Sequence, residues 1–255
     1  MKKHIFMAAM TGMLLASGIA AHGYETIAVK DGATLHGVVK FMGSVPADEK
    51  VDITKNQEVC GKTQMRGKYV ITNQRVKNAV VWIDGIEKGK PLTKNPVNVT
   101  VKNCMAEPHV NVGCVGGKFV LRNDDDIMHT VQLKLGLEYQ TKVSGRPVKD
   151  GATIYNLALP NKGVNIEKPI KEYHRYTKDT GFIQVKSNTD ECMGGYIFVF
   201  DHPYAAVTDD QGSFSMDNLP PGQYTLTIWH EGFKKQEQHI TVSPGEAKHV
   251  EIELL

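Results

Sequence analysis

A cysteine and a methionine stand side by side in a short polar loop. They are Cys192 and Met193, just before a strand-like apolar run from Tyr196 to Phe200. Thiolate and thioether sulfur atoms are the soft ligands that copper prefers in proteins. The pair therefore allows three interpretations: a copper-binding loop, the remnant of such a loop, or an ordinary turn.

A histidine that precedes this loop in the sequence, His129, lies in the stretch NDDDIMHT from Asn123 to Thr130. The acidic run Asp124, Asp125 and Asp126 suggests calcium, but no downstream bidentate glutamate completes a calcium loop. We expect a solvated turn there instead.

Three other histidines, His109, His202 and His230, lie near the ends of apolar runs. His109 is a weak candidate ligand, and a surface or hydrogen-bonded role is favoured. For His202 and His230 we expect structural hydrogen bonds. The sequence contains no nucleophile elbow, no zinc-protease motif and no phosphate loop. We therefore expect a protein that is not an enzyme.

Residues 1–23 have the pattern of a secretory signal peptide, with two lysines, an apolar stretch from Ile5 to Ala21, and small residues at the end. Thr, Ser and Gly interrupt the stretch, which falls short of the roughly 20 residues that span a bilayer. A cleaved signal is therefore favoured over an anchor, and no later segment is apolar enough to cross a membrane. We expect a mature chain that begins near Tyr24, in the periplasm or outside the cell.

Composition narrows the function further. The net charge is +2 and charges of both signs are interspersed, so no nucleic-acid-binding surface is indicated. Four cysteines, an even number, predict disulfides in an oxidising compartment. None of them lies in a C-x-x-C motif, so the sequence supports neither a zinc ribbon nor covalently attached haem.

Short runs of strand-forming residues, separated by Gly and Pro turns, extend through the whole mature chain. Examples are NAVVWIDGI from Asn78, HVNVGCVGGKFVLRN from His109 and QYTLTIWH from Gln223. Many short strands at regular spacing are typical of β-sandwiches. We therefore predict an all-β chain with a larger sandwich over residues 24–200 and a smaller β module over residues 201–255.

Several pieces carry a family resemblance and occur in one order along the chain. They are Cys60-Gly61, Cys104 with Pro108-His109-Val110, Asn123…His129, Asn156…Leu159-Pro160, and GYIFVFDHPYAAVTDDQGSF…LPPGQYTLTIWHE. Together they resemble exported cupredoxin-like, plastocyanin-like proteins that end in a carboxypeptidase-regulatory-like module. The resemblance implies a cupredoxin-like β-sandwich followed by a small transthyretin-like β-sandwich.

In such proteins a cysteine, a histidine and a methionine of the loop join an upstream histidine as type 1 copper ligands. The register set by GYIFV places Ser187, Asp190 and Met193 at those three loop positions, and His129 at the upstream one. A hydroxyl thus replaces the thiolate and a carboxylate replaces one imidazole. The resemblance implies a degraded copper site, or an altered one built from His129, Met193, Cys192 and Asp190. In either case His129 and Met193 should lie at the same end of the sandwich.

The same resemblance implies a disulfide between Cys60 and Cys104, which would tie the polar N-terminal segment to the sandwich. A bridge between Cys114 and Cys192 looks strained in the cupredoxin layout, although the sequence leaves it open.

Three functions remain. The first is a non-enzymatic extracytoplasmic β-sandwich that binds a protein partner or assembles with itself, without a cofactor. The second is a copper-binding or electron-transfer protein, copper being the one cofactor that the residues suggest. The third is a carbohydrate-binding module, which is disfavoured because Trp82 and Trp229 lie in apolar runs and should be core residues.

Overall fold

The structure is a computed structural model that describes residues 23–136, 142–143, 146–147, 151–176 and 181–255. The expected signal peptide, residues 1–23, lies outside these ranges except for its last residue. The described part is built of 24 strands, one four-residue helix and one 3-10 turn. Within it, no helix is long and apolar enough to span a bilayer.

In chain order the elements are β1 (Glu25–Thr26), β2 (Ala33–Phe41), β3 (Lys50–Asp52), α1 (Gln57–Cys60), β4 (Thr63–Met65), β5 (Ile71–Thr72), β6 (Arg75–Val76), β7 (Val80–Asp84), β8 (Lys88–Gly89), β9 (Val97–Lys102), β10 (Met105–Glu107), β11 (Val110–Cys114), β12 (Lys118–Asn123), β13 (His129–Gly136), β14 (Lys142–Val143), β15 (Arg146–Pro147), β16 (Thr153–Leu159), β17 (Asn165–Pro169), the 3-10 turn Glu172–His174, β18 (Phe182–Lys186), β19 (Gly194–Phe200), β20 (Ala205–Val207), β21 (Ser213–Leu219), β22 (Gly222–His230), β23 (Phe233–Val242) and β24 (Ala247–Leu254).

The first and last parts of the chain form one sandwich together, which we call the composite sandwich (residues 24–89 and 201–255). Strand β2 pairs with β21, β6 and, in parallel, β24. The facing sheet has the order β20-β7-β22-β23. Alternate residues of β2 are buried, as its alternating sequence predicts, and they pack against β7 and β22 in one core.

A second sandwich, which we call the inserted sandwich (residues 97–200), interrupts the composite one. Its two sheets have the orders β10-β9-β12-β17 and β11-β19-β18-β13-β16. Val99, Leu121, Val131 and Ile197 contribute to the core between these sheets. The predicted boundary at residue 200 is therefore wrong for the N-terminal strands. Residues 24–89 pair with the C-terminal module because β2 and β7 fill the centres of its sheets.

An aromatic cluster joins the two sandwiches. Trp82 of β7 and Trp229 of β22 pack against Phe198 and Phe200 of β19. The other faces of these three strands belong to the cores of the two sandwiches, with Ile83 of β7 as one example. Burial on both faces explains why β7 and β19 carry apolar runs rather than alternating ones, and why the last five residues of β22, Leu226 to His230, are all buried.

A polar segment, residues 43–69, leaves the composite sandwich and covers one end of the inserted one; we call it the arm. It consists of the β3–β4 hairpin and helix α1. Ile53 and Cys60 of the arm pack against Cys104 and Cys192. Cys60 and Cys104 are joined by a disulfide, the pairing that the resemblance implied.

Candidate functional site

The candidate site lies where three connections of the inserted sandwich meet under the arm. His129 is the first residue of β13, and the 187–193 loop joins β18 to β19. The turn between β9 and β10 supplies Asn103 and Cys104, both with positive φ angles of 50° and 63°. Strand pairing fixes all three connections, because β13 is the neighbour of β18 and β9 is the partner of β12.

The imidazole of His129 is fully buried between two carboxylates. Its Nε2 atom lies 3.0 Å from Oδ2 of Asp125, and its Nδ1 atom lies 3.1 Å from Oδ2 of Asp190. The contact with Asp125 has the geometry of a hydrogen bond. The contact with Asp190 is close enough for an ion pair, but it does not have the geometry of a hydrogen bond. We call this arrangement the Asp–His–Asp triad.

The carboxylate of Asp125 is held by the backbone. It accepts hydrogen bonds from the amides of Asn103 and Cys104, each 2.8 Å long. The side chain of Asn123 accepts a bond from the Asp125 amide and donates to the carbonyl of Leu159. These bonds replace water around a buried charge, which is the condition for keeping a buried carboxylate ionised.

Hydroxyl groups hold the second carboxylate. Asp190 accepts hydrogen bonds from Ser187 Oγ at 2.8 Å and from Thr189 Oγ1 at 2.9 Å. The Ser187 hydroxyl thereby orients the carboxylate that faces His129.

The triad shifts the proton equilibria of its members. Burial alone would lower the pKa of His129, but the close carboxylates of Asp190 and Asp125 outweigh it and raise that pKa. Burial would likewise raise the pKa of Asp190, but the facing His129 ring and the hydrogen bonds from Ser187 and Thr189 lower it. Both shifts favour an imidazolium ion between carboxylates near neutral pH.

The other two predicted ligands lie close to the triad without joining it. The amide of Met193 donates to the carbonyl of Asp190 at 3.2 Å, and its side chain is buried in the core of the inserted sandwich. Met193 and His129 thus both contact Asp190 at one end of the sandwich. The thiol of Cys192 donates instead to the carbonyl of Cys104 at 3.3 Å, and burial raises the pKa of that thiol.

The residues present do not fit a type 1 copper centre. Such a centre needs a thiolate and two imidazoles. Ser187 and Asp190 stand at the corresponding loop positions, and carboxylates face both ring nitrogens of His129. The Cys192 thiol contacts the backbone of the neighbouring turn, so it does not replace the missing thiolate in this arrangement.

One of the two carboxylates of the triad, that of Asp125, was not predicted from the sequence to belong to the site. The run Asp124–Asp126 was expected to be a solvated turn, but the Asp125 side chain is only 6% exposed. Its i, i+4 spacing to His129 was visible in the N-x-D-x-x-x-H pattern, and it was the one signal for this contact.

The remaining histidines and cysteines have structural surroundings. His109 forms an ion pair with Glu231 of the composite sandwich. Nδ1 of His202 accepts a hydrogen bond from the Tyr204 amide, and Nδ1 of His230 accepts one from the Gly232 amide, as expected for structural histidines. Both Cys114 and Cys192 are buried and unbridged.

An open cleft of about 490 Å³ borders the site, between the arm, the 187–193 loop and the His109–Glu231 pair. Arg66 of the arm and Asp190 of the loop contribute to its lining. The cleft thus reaches the triad at Asp190.

Comparisons with known proteins found one family model and several similar solved structures. The solved structures include cupredoxins. The family model, the carboxypeptidase regulatory-like domain, matches residues 184–255, so the C-terminal part of the chain is similar to that domain. The matched range begins in β18, so it includes two strands of the inserted sandwich and omits the N-terminal strands of the composite one.

Three of these structures illustrate the likeness. Copper-containing nitrite reductase (NirK) from Thermus scotoductus SA-01 is 18% identical, with a TM-score of 0.28, over 44% of this chain and 24% of that chain. A novel purple cupredoxin from Nitrosopumilus maritimus is 17% identical, with a TM-score of 0.27, over 40% of this chain and 98% of that chain. A reduced amicyanin mutant is 15% identical, with a TM-score of 0.29, over 42% and 85%. No curated protein sequence matches the chain. At these scores the likenesses add nothing to the description of the site.

Proposed function

We propose that this protein is a non-enzymatic, exported β-sandwich protein that acts by binding a protein partner or by self-assembly, and that its type 1 copper site is degraded. The observation that carries the proposal is the Asp–His–Asp triad. Carboxylates face both ring nitrogens of His129, and Ser187, to which the resemblance assigns the loop position of the thiolate, donates its hydroxyl hydrogen bond to Asp190.

Export is supported by two observations. The first 23 residues have the pattern of a signal peptide. The Cys60–Cys104 disulfide is of the kind that persists in oxidising compartments, such as the periplasm or the extracellular space.

Neither tryptophan supports the carbohydrate-binding alternative. Trp82 and Trp229 are 3% and 6% exposed, and both pack between the two sandwiches. A tryptophan that stacks on a sugar needs an exposed face, so these two side chains serve packing instead.

Titration of the oxidised protein with Cu(II), followed by visible absorption, tests the proposal against the copper-binding alternative. We expect no intense blue band, because that band requires a copper–thiolate bond. A blue band with one equivalent of copper would overturn the degraded site. Tight binding of one equivalent without the band, lost in His129→Asn, would instead support an altered copper site.

A further inference from the structure

The buried disulfide lies against the triad. The Sγ atoms of Cys60 and Cys104 and a carboxylate oxygen of Asp190 all lie within 4.8 Å of one another. The Sγ atom of Cys104 also lies within 4.8 Å of a ring nitrogen of His129 and a carboxylate oxygen of Asp125. All five side chains are buried, and the two groups share Cys104, so sulfur, nitrogen and oxygen atoms lie near one another inside the protein.

We propose that reduction of the Cys60–Cys104 disulfide turns this cluster into a binding site for a thiophilic divalent cation such as Zn²⁺. The ligands are the two thiolates, His129 and Asp190. Zinc takes sulfur, nitrogen and carboxylate ligands in tetrahedral sites at about 2.0–2.3 Å, which places the ligand atoms roughly 3.3–3.8 Å apart. The two sulfur atoms reach such a separation once the bond between them is broken.

Asp125 has the position of an outer partner of a metal-bound histidine. Its carboxylate accepts a hydrogen bond from Nε2 of His129, which leaves Nδ1 to face Asp190. A histidine that binds a metal through one ring nitrogen commonly donates from the other to a carboxylate, which fixes the orientation of the ring. The buried Nδ1 atom has no well-aligned hydrogen bond of its own.

Charge also favours a cation at this point. Two buried carboxylates, those of Asp125 and Asp190, face the same imidazole ring of His129. When a divalent ion binds, the ligand nitrogen of His129 and the two thiols carry no proton, and the ion supplies the positive charge.

The oxidation state of the cysteine pair controls the site. A disulfide offers no thiolate, so the oxidised protein lacks two of the four ligands. A dithiol reductant opens the bond by exchange: its two thiols become a disulfide, and Cys60 and Cys104 become two thiols. The arm is also held at the site by two hydrogen bonds from Thr54 to the Glu191 carboxylate, by one from Arg66 to the Glu191 carbonyl, and by packing of Ile53. Asp190 and Arg66 line the adjoining cleft, which lies on the side from which an ion would approach.

Cobalt titration tests the proposal on the whole mature protein. The protein is reduced with dithiothreitol without oxygen, the reductant is removed, and Co²⁺ is added as a spectroscopic probe. We expect one equivalent to produce thiolate-to-cobalt charge-transfer absorption, which one equivalent of Zn²⁺ abolishes. The oxidised protein should show none. No such band in reduced, folded protein, or an equal band in the oxidised protein, would overturn the proposal.

Variants distinguish the ligands from the other thiols. Cys104→Ser should weaken Co²⁺ binding at least tenfold, whereas Cys114→Ser and Cys192→Ser should retain wild-type binding. Circular dichroism of each reduced sample checks the fold. Equal binding by Cys104→Ser and wild type, or loss of binding in Cys192→Ser alone, would contradict the assigned ligand set.

A second measurement covers the case in which reduction unfolds the chain. Zn²⁺ present during reduction should then preserve the native circular dichroism and slow alkylation of Cys60 and Cys104 at least tenfold. Failure of Zn²⁺ to do either would refute the site. The copper titration of the oxidised protein uses no reductant, so its outcome and this one are independent.

Discussion

Nδ1 of His129 lies 3.1 Å from Oδ2 of Asp190, at the loop position where the resemblance places the second imidazole of a copper centre. A carboxylate thus faces the nitrogen that would otherwise be free to bind a metal. The pair holds the 187–193 loop against β13 by charge, and the following predictions depend on that contact or on the packing around it.

Asp190→Asn should lower the free energy of unfolding by about 3 kcal/mol near pH 6, because it leaves a buried imidazolium short of one carboxylate. The sign of the pH dependence follows from the raised pKa of His129. The stabilisation that Asp190 contributes in the wild type is fully present below the ordinary pKa of histidine, about 6.5. It fades as the pH rises through the raised pKa of His129. Urea denaturation of both proteins from pH 6 upward measures this difference.

Asp126→Asn is the matched control. Asp126 belongs to the same acidic run, but its side chain is 76% exposed and pairs only with Lys162 at the surface. The free energy of unfolding of Asp126→Asn should equal that of the wild type at every pH. A similar loss in both variants would mean that net charge, rather than the buried pair, stabilises the loop.

The whole protein should become less stable between pH 7 and pH 5. Burial lowers the pKa of His174, His202 and His230 to about 4 in each case. Below about pH 6.5 these histidines take up protons in the unfolded chain but not in the folded one, so each costs roughly 1–2 kcal/mol over this interval. His129 acts in the opposite sense and offsets part of the loss.

His230→Asn checks the origin of that slope. It should destabilise the protein at pH 7 yet give a shallower fall toward pH 5 than wild type, as measured by urea denaturation. An unchanged slope would show that His230 is protonated in the folded protein.

Local sequence was enough to predict the strands, because alternation and turn residues are local properties. Val80–Asp84 and Gly194–Phe200 are strands as expected. The pairing of β2 with β24 was not predictable in this way, since it joins the two ends of the mature chain in parallel. The division at residue 200 failed for that reason.

The site was predictable in part. The register of Ser187, Asp190 and Met193 followed from the resemblance, and the loop brings Asp190 to His129. In the sequence only its spacing to His129 distinguishes Asp125 from its neighbours, because its burial depends on the amides of a turn that lies on another hairpin. Strand pairing at long range placed that turn there.

The aromatic cluster between the sandwiches should couple their unfolding. Trp229 packs against Phe182, Tyr196 and Phe198 of the inserted sandwich, at centroid distances of 5.3, 5.0 and 4.8 Å. Trp229→Ala should therefore cost about 3–5 kcal/mol and leave a cavity between the sandwiches. Calorimetry is expected to show two separate transitions in this variant.

Tyr173→Ala is a suitable control for that variant, because Tyr173 is 56% exposed and lies outside the cluster. It should unfold as wild type does. A single transition in Trp229→Ala, shifted to lower temperature, would mean that other contacts couple the two sandwiches.

The last prediction restores the missing copper ligands. Ser187→Cys, Asp190→His and Cys192→Ala are combined in one variant; the third change removes a thiol that could bridge to the new cysteine. Ser187 Oγ lies 2.8 Å from Asp190 Oδ2, which lies 3.1 Å from His129 Nδ1, so the new side chains start from positions that already converge on the imidazole. Asp125 still accepts a hydrogen bond from Nε2 and orients the ring. With one equivalent of Cu(II) we expect an intense blue band, with His129 and Met193 as the other two ligands.

Cys192→Ala alone is the control for this variant and should remain colourless with copper, like the wild type. The triple variant is first shown to be folded by circular dichroism and to retain the Cys60–Cys104 disulfide by peptide mapping. If it then shows no blue band, the register that places Ser187, Asp190 and Met193 at the ligand positions is wrong. If the band appears only when Met193 is intact, the thioether is close enough to the imidazole to join the site, and the inserted sandwich retains the geometry of a copper centre whose ligands have been replaced.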